Sequence, residues 1–216
     1  RRGWTSIAGM GSLYERYALP RLISCACGGK VFARQRRKVV PMAEGRVLEV
    51  GIGSGLNLPF YDPVRVESVT GVDPSAELRA MAEAAPRPDG LTVSVEAGAG
   101  ERLPFADHSF DTLVCTYTLC SVGAVEAVLA EIRRVLKPGG SYLFCEHGLA
   151  PDASVARWQE RLDPLWKRIA GNCHLSRPVA ATIAANGFVI EETASMYLPG
   201  TPRFAGWNEW GRARPV

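Results

Sequence analysis

From Arg46 to Ala213 short apolar runs alternate with helix-period stripes, and this alternation constrains the fold more than any other feature. Val47–Val50, Glu67–Val72, Leu91–Val95, Phe110–Thr116, Ser141–Glu146 and Phe188–Thr193 are rich in β-branched and apolar residues and short enough for strands. Between them, Leu78, Met81, Ala82 and Ala85 recur at helical spacing behind Ser75, and Pro86 stops the run. Val125, Val128, Leu129, Ile132, Val135 and Leu136 form a second stripe, ended by Lys137-Pro138-Gly139-Gly140. Helical spacing returns at 153–170 and 178–186, and a last strand is expected at roughly 203–213. Strands separated by ten or more helical residues make βαβ units, hence an α/β domain with a mostly parallel sheet.

The first strand runs into Glu49-Val50-Gly51-Ile52-Gly53-Ser54-Gly55, which is expected to lead into a helix. Glycines at alternate positions allow a sharp turn and let a ligand approach bare backbone. The helix behind such a turn would offer free N–H groups. The spacing is Gly-x-Gly-x-Gly, whereas the nicotinamide dinucleotide fingerprint would need its third glycine at Leu56. Asp73 ends the next strand about twenty residues on, the place from which an acid takes both ribose hydroxyls. Loop, strand and acid together point to a nucleoside site at the carboxyl ends of the strands.

Charge divides the 216 residues unevenly. Residues 1–46 hold ten Lys and Arg against two acids, and the remainder fifteen against twenty, for a net +3. Leu13, Tyr14, Tyr17, Ala18, Leu22 and Cys25 share one helical face, interrupted by Pro20, and Arg34, Arg36, Arg37 and Lys38 follow. Residues 1–44 therefore read as a basic helical extension, with 45–216 the main domain. Its readings are a lid over the site, a peripheral foot on anionic lipid, or a solvated basic face packed on its own domain. Nucleic acid is disfavoured, because the cluster is short and without interleaved aromatics. No run approaches the roughly 18 apolar residues of a membrane span, and six scattered cysteines do not make a disulfide scaffold. A reduced, cytoplasmic setting is expected, with no pattern that sets an oligomeric state.

Five ordered motifs carry a resemblance: Val47–Gly55, Gly71-Val72-Asp73-Pro74-Ser75, Glu101-Arg102-Leu103-Pro104-Phe105, Ser109-Phe110-Asp111 and Arg134–Gly140. Over residues 45–216 the chain resembles the class I S-adenosylmethionine-dependent methyltransferases. The resemblance implies a Rossmann-like sheet of seven strands, mostly parallel, with helices on both faces and an antiparallel final hairpin. It implies S-adenosylmethionine as cofactor, with no metal. By position, Glu49, Gly51, Gly53 and Gly55 would lie near its methionine part, Asp73 and Pro74 at the ribose, Gly100 and Glu101 against adenine, and Thr116 in the same site. Ala99 stands where many relatives place an acid that reaches the adenine amino group, so backbone at Gly100 and Glu101 would serve instead. Cys115–Val122, Cys145-Glu146-His147, Asp163–Lys167 and Gly171–Arg177 are similar to the methyltransferase-like 7 family, lipid-associated thiol methyltransferases. Related bacterial sequences are often named phospholipid or quinone methyltransferases, so a phospholipid amine or quinone hydroxyl at a membrane surface is the alternative acceptor, and a non-catalytic nucleoside-binding regulatory protein is the further alternative. The resemblance thus implies a small apolar acceptor, in first place a thiol.

A sulfonium methyl donor needs no acid to activate its leaving group, so catalysis reduces to in-line positioning, exclusion of water and a base for the acceptor. Only three histidines can serve near neutrality. His147 follows a strand at the carboxyl end of the sheet, either facing the site or fixing the strand end by a structural hydrogen bond. His174 lies in Asn172-Cys173-His174, a segment expected to line the acceptor pocket with Cys173. His108 reads as surface. Tyr14 and Tyr17 line the pocket if the extension folds over it, and otherwise pack. Cys25-x-Cys27 has neither the spacing nor the partners of a zinc site. Trp158, Trp166, Trp207 and Trp210 read as filling between sheet and helices.

Overall fold

The computed structural model describes residues 19–216. Tyr14 and Tyr17 lie outside the described residues. Two helices, α1 (Leu19–Cys27) and α2 (Lys30–Val39), lead through a short turn into β1 (Gly45–Val50). The chain continues through β2 (Val66–Asp73), α3 (Ala76–Ala84), β3 (Thr92–Ala97), β4 (Phe110–Thr116), α4 (Val125–Val135) and β5 (Leu136–His147). It ends with α5 (Ala153–Ile169), α6 (Val179–Ala185), β6 (Phe188–Tyr197), the single turn α7 (Arg203–Gly206) and β7 (Trp207–Pro215). The seven strands form one sheet in the order β3-β2-β1-β4-β5-β7-β6. Pairs among β1 to β5 are parallel, and β7 runs antiparallel to both β5 and β6. The expected mostly parallel sheet with an antiparallel closing hairpin is therefore present.

Alternation along the strands builds two cores. On one face Leu48, Leu113, Tyr142 and Phe144 meet Val128, Leu129, Ile132 and Val135 of α4. On the other Val47, Val114, Leu143 and Cys145 meet Val39, Val40 and Ala43 at the end of α2. Each fully buried Leu or Ile contributes roughly 1.5–3 kcal/mol, which makes α4 and the end of α2 integral to the sheet. Ser75 caps α3 as its sequence implies, its side chain accepting from the Leu78 N–H at 3.3 Å.

Three local expectations are corrected. No α-helix follows the glycine loop: residues 51–57 turn, and a single 3-10 turn spans Leu58–Phe60. Pro59 and Pro63 explain this, since each removes an N–H and restricts the residue before it. Lys137–Gly140 does not separate α4 from a later strand but lies within β5. Phe110 pairs with Leu136 and Thr112 with Ser141, so these four residues buckle out of register, with Lys137 held on Asp111 at 2.6 Å. Trp158, expected at the sheet–helix interface, is exposed on α5. Among the described residues no helix is long and apolar enough to cross a membrane.

Candidate functional site

The strand order reverses between β1 and β4, and the crevice beyond their carboxyl ends is where open α/β sheets bind ligands. Glu49 sits there, almost wholly buried. One carboxylate oxygen accepts from Asn57 Nδ2 at 2.9 Å and the other from the Tyr61 hydroxyl at 2.7 Å. Asn57 Nδ2 also reaches Thr116 Oγ1 at 3.0 Å. Burial pushes Glu49 up to about 7, opposed by the Tyr61 and Asn57 hydrogen bonds and by the nearby Arg36 charge. The carboxyl can thus change its charge near neutral pH.

Gly51, Gly53 and Gly55 all adopt positive φ, between 56° and 78°. At Gly51 the cause is also packing, because a Cβ there would run into the Thr118 side chain. The loop is fastened by Asp73. One Asp73 oxygen accepts from the Gly53 N–H at 3.1 Å, and the other from the Ser75 N–H at 2.8 Å. Burial raises the Asp73 pKa, and these N–H groups pull it back. Each oxygen keeps a free lone pair, so the bond to the loop and a bond to a diol are compatible.

Arg36 completes this half of the site and was not anticipated. The sequence places it in a basic cluster, yet its side chain is buried under α1. Its Nη1 donates to the Cys27 carbonyl at 2.7 Å, and the guanidinium lies 5.1 Å from the Tyr117 ring centre. Its Nε is buried without a partner. Arg36, Glu49, the Gly51–Ser54 backbone, Asn57, Thr116 and Tyr117 line a cavity of about 90 Å³. Pro74, Gly100 and Glu101 fall outside that lining, at the same end of the sheet. Gly100 is packed against Val50 and Val128. The rest of the cluster also differs from a free basic arm: Lys38 stacks on Trp210, with Nζ 3.6 Å from the ring centre, while Arg34 and Arg37 stay exposed.

The cavity is small because α1 lies over it. Ser24 Oγ is 2.6 Å from Ser54 Oγ, and Arg21 bridges to Glu77 at 2.6 Å. Ligand pockets ordinarily measure roughly 300–1,000 Å³, so a nucleoside requires α1 to shift. A buried guanidinium whose Nε has no partner and a buried carboxyl facing one cavity fit a ligand that carries both an ammonium and a carboxylate, as S-adenosylmethionine does.

A second, apolar cavity of about 270 Å³ adjoins the first, sharing Cys27 and Tyr117 with it. Phe32, Trp166, Ala170 and Ala205 supply apolar wall, and Cys120, His147 and Cys173 supply the reactive groups. His147 is 9% exposed, and neither ring nitrogen makes a hydrogen bond. The alternative of a structural hydrogen bond at the strand end is therefore not what the side chain does. Glu146, before it, accepts from the Thr118 N–H at 3.0 Å and the Cys120 N–H at 3.2 Å. Burial raises Glu146 to about 7 against those bonds. Cys173 lines this cavity. His174 does not: its Nδ1 lies 3.1 Å from the Cys120 carbonyl and its ring faces a separate surface groove with Ser176 and Arg177. His108 is exposed, as a surface residue should be, with Nδ1 2.9 Å from the Leu136 carbonyl. Among the described residues no group of three His, Cys, Asp or Glu side chains is arranged to hold a metal ion.

Comparison with known proteins agrees with this geometry. Residues 48–144 match the family described as Methyltransferase domain. The thiol S-methyltransferase TMT1B of Rattus norvegicus is 41% identical over 140 residues, 62% of this chain and 56% of that protein. The phosphatidylethanolamine N-methyltransferase of Cereibacter sphaeroides is 39% identical over 124 residues, 55% of this chain and 60% of its own length. The chain thus spans a little over half the length of the curated relatives it matches. A Thermotoga maritima structure, titled a SAM-dependent methyltransferase and possible histamine N-methyltransferase, superposes with a TM-score of 0.64 at 22% identity, covering 95% of this chain and 99% of that one. That likeness speaks for the fold. Residues 48–144 thus match a methyltransferase domain, the sheet has the order of the class I methyltransferase fold, and thiol S-methyltransferases are among the proteins this chain is similar to.

Proposed function

We propose that this protein transfers a methyl group from S-adenosylmethionine to a small, apolar thiol bound in the cavity between Phe32 and Trp166. The observation that carries this reading is the contact of two unlike cavities through Cys27 and Tyr117: one polar and charged, the other apolar with an unpartnered histidine. Bound in the first, the donor supplies an electrophilic methyl carbon. Glu49 and Arg36 hold its ammonium and carboxylate, the Gly51–Gly55 backbone supports it, and Asp73 takes the sugar. The apolar wall strips water from the acceptor sulfur. His147 stands in that wall, able to take the thiol proton at a ring nitrogen. Helices α1 and α2 act as the lid, α1 moving to admit the donor while the end of α2 stays anchored in the core.

Support for the thiol comes from the TMT1B relative and from the acceptor wall, in which the described residues place no carboxylate. A phospholipid amine is the second reading, favoured by the phosphatidylethanolamine N-methyltransferase relative and by the exposed Arg34 and Arg37, which suit a peripheral contact with anionic lipid. Mixing the protein with S-adenosylmethionine and panels of thiols, amines and phenols, with and without anionic liposomes, separates them through the S-adenosylhomocysteine released. Turnover with alkyl thiols in plain buffer is the expected result. Turnover confined to lipid amines in liposomes would replace it with the second reading.

A further inference from the structure

Cys120 and Cys173 come from segments more than fifty residues apart, yet the backbone clamps them together. The His174 N–H donates to the Cys120 carbonyl at 2.7 Å, and the Cys120 N–H is held by Glu146 at 3.2 Å. Both thiols are free, and both line the apolar cavity. The two are not equivalent. Cys120 is fully buried, and its partner and burial raise its pKa, keeping it protonated. Cys173 is half-buried and lowered, first by the Cys120 thiol and then by the His147 ring beside it, against burial. His147 is the independent observation: a buried imidazole, without hydrogen bonds, aimed into the cavity that Cys173 lines. A thiol whose pKa is lowered, sharing a cavity wall with one whose pKa is raised, is the arrangement in which one thiol reacts and the other resolves the product.

We propose that Cys120 and Cys173 form a hydroperoxide-responsive modification site in the wall of the acceptor cavity, closing on oxidation to a disulfide that blocks the acceptor. The Cys173 thiolate attacks the distal oxygen of the hydroperoxide. An S–O bond forms, the O–O bond breaks, and the departing alkoxide leaves as the alcohol after taking a proton. The Cys120 sulfur then attacks the sulfenic acid sulfur, and hydroxide leaves with the Cys120 proton as water. Two thiols lose two electrons in total and one hydroperoxide gains them. A small dithiol reverses the change. The blocking of acceptor rests on the function proposed above, whereas formation of the bond does not.

The full chain, treated with stoichiometric hydrogen peroxide and digested without reductant, is read by peptide mass. The expected result is a Cys120–Cys173 cross-link, with Cys25 and Cys27 still alkylatable and the link undone by dithiothreitol. In Cys120→Ser, dimedone should label Cys173, and in Cys173→Ser the cross-link and the label should both vanish. Preferential oxidation of exposed Cys25, or equal dimedone labelling of Cys173 and Cys25, would overturn the assignment. Calorimetry on the oxidised protein should show donor binding retained while thiol turnover falls at least tenfold. Cross-linked protein with unchanged turnover would overturn the blocking step and leave the methyl-transfer reading standing. Loss of turnover in the reduced protein as well would count against that reading instead.

Discussion

If Arg36 binds the carboxylate of the donor, removing that carboxylate must cost affinity only while the guanidinium is present. Arg36 is 3% exposed, its Nε has no partner, and its Nη1 is committed to the Cys27 carbonyl. One or two charge-assisted hydrogen bonds are therefore available, each contributing about 1.5–3 kcal/mol. Taking one bond as the floor, S-adenosylmethionine should bind about 10- to 150-fold more tightly than its decarboxylated analogue, since 1.4 kcal/mol is tenfold. In Arg36→Gln that preference should fall to within a few-fold, because both donors then meet an uncharged side chain. Titration calorimetry of two ligands against two proteins gives the coupling directly, free of any general weakening by the substitution. The melting temperature of each apo protein reports whether Arg36→Gln still closes α1 against Tyr117. The same discrimination in both proteins would refute the reasoning, and would move Arg36 to a structural role beneath α1.

Donor affinity should fall as pH drops below about 7. Glu49 takes up a proton there in the free protein, and a cationic ligand must expel it. The slope approaches tenfold per pH unit on the acid side, reverses near pH 8 where an α-amino group loses its own proton, and flattens on the acid limb in Glu49→Gln; affinity constant between about pH 5.5 and 7 would exclude the role. His147→Ala should lower turnover at neutral pH by about 100-fold or more, as loss of a general base does, with donor affinity unchanged by calorimetry; activity recovering as pH approaches the acceptor's own pKa distinguishes lost proton transfer from a damaged pocket. Gly51→Ala forces a side chain into positive φ and against Thr118, so donor binding should be lost while circular dichroism keeps its α/β signature. Glu146→Ala strands the Thr118 and Cys120 N–H groups at about 1–3 kcal/mol each, and urea denaturation should show that loss.

The sheet was legible because its signals are local. Phe110–Thr116 needs only its own β-branched run to form β4, and the stripe from Val125 to Val135 specifies α4 with no knowledge of what it covers. The glycine loop was legible for the same reason, since three positive φ values demand three glycines. The helix expected after it fails on residues just downstream, where Pro59 and Pro63 outweigh the general βαβ pattern. Arg36 escaped notice because its meaning is entirely non-local. Nothing in Arg34-x-Arg36-Arg37-Lys38 distinguishes the buried Arg36 from its exposed neighbours except helical phase relative to Val39, which is itself buried. Asn57 could have been found, standing two residues past the loop on the way to a strand end that carries a buried acid. His174 shows the converse, a plausible neighbour of Cys173 whose ring is turned away by a backbone carbonyl.

Under the methyl transfer proposed above, the electrostatics of the two cavities favour a thiol over an amine on grounds independent of the relatives. A protonated amine has no lone pair, so an amine transferase needs an acid or carbonyl free to orient the neutral nitrogen and accept its proton. Glu146 is wholly buried, accepts from the Thr118 and Cys120 N–H groups, and does not line the apolar cavity. Glu49 lines the donor-side cavity instead. What the acceptor wall offers is His147, with two uncommitted nitrogens. A thiol with a pKa near 8.5 needs no more than that: one imidazole to accept its proton and a dry surface for its alkyl part. As the methyl moves, a thiolate's charge and the sulfonium's charge cancel, so a low-dielectric pocket lowers the barrier, whereas transfer to a neutral amine carries the positive charge onto the acceptor and gains nothing from such a pocket. Placing a carboxylate in this wall, as in Ser121→Asp, should therefore depress thiol turnover far more than donor binding, and a variant that kept its thiol rate would undo the electrostatic argument.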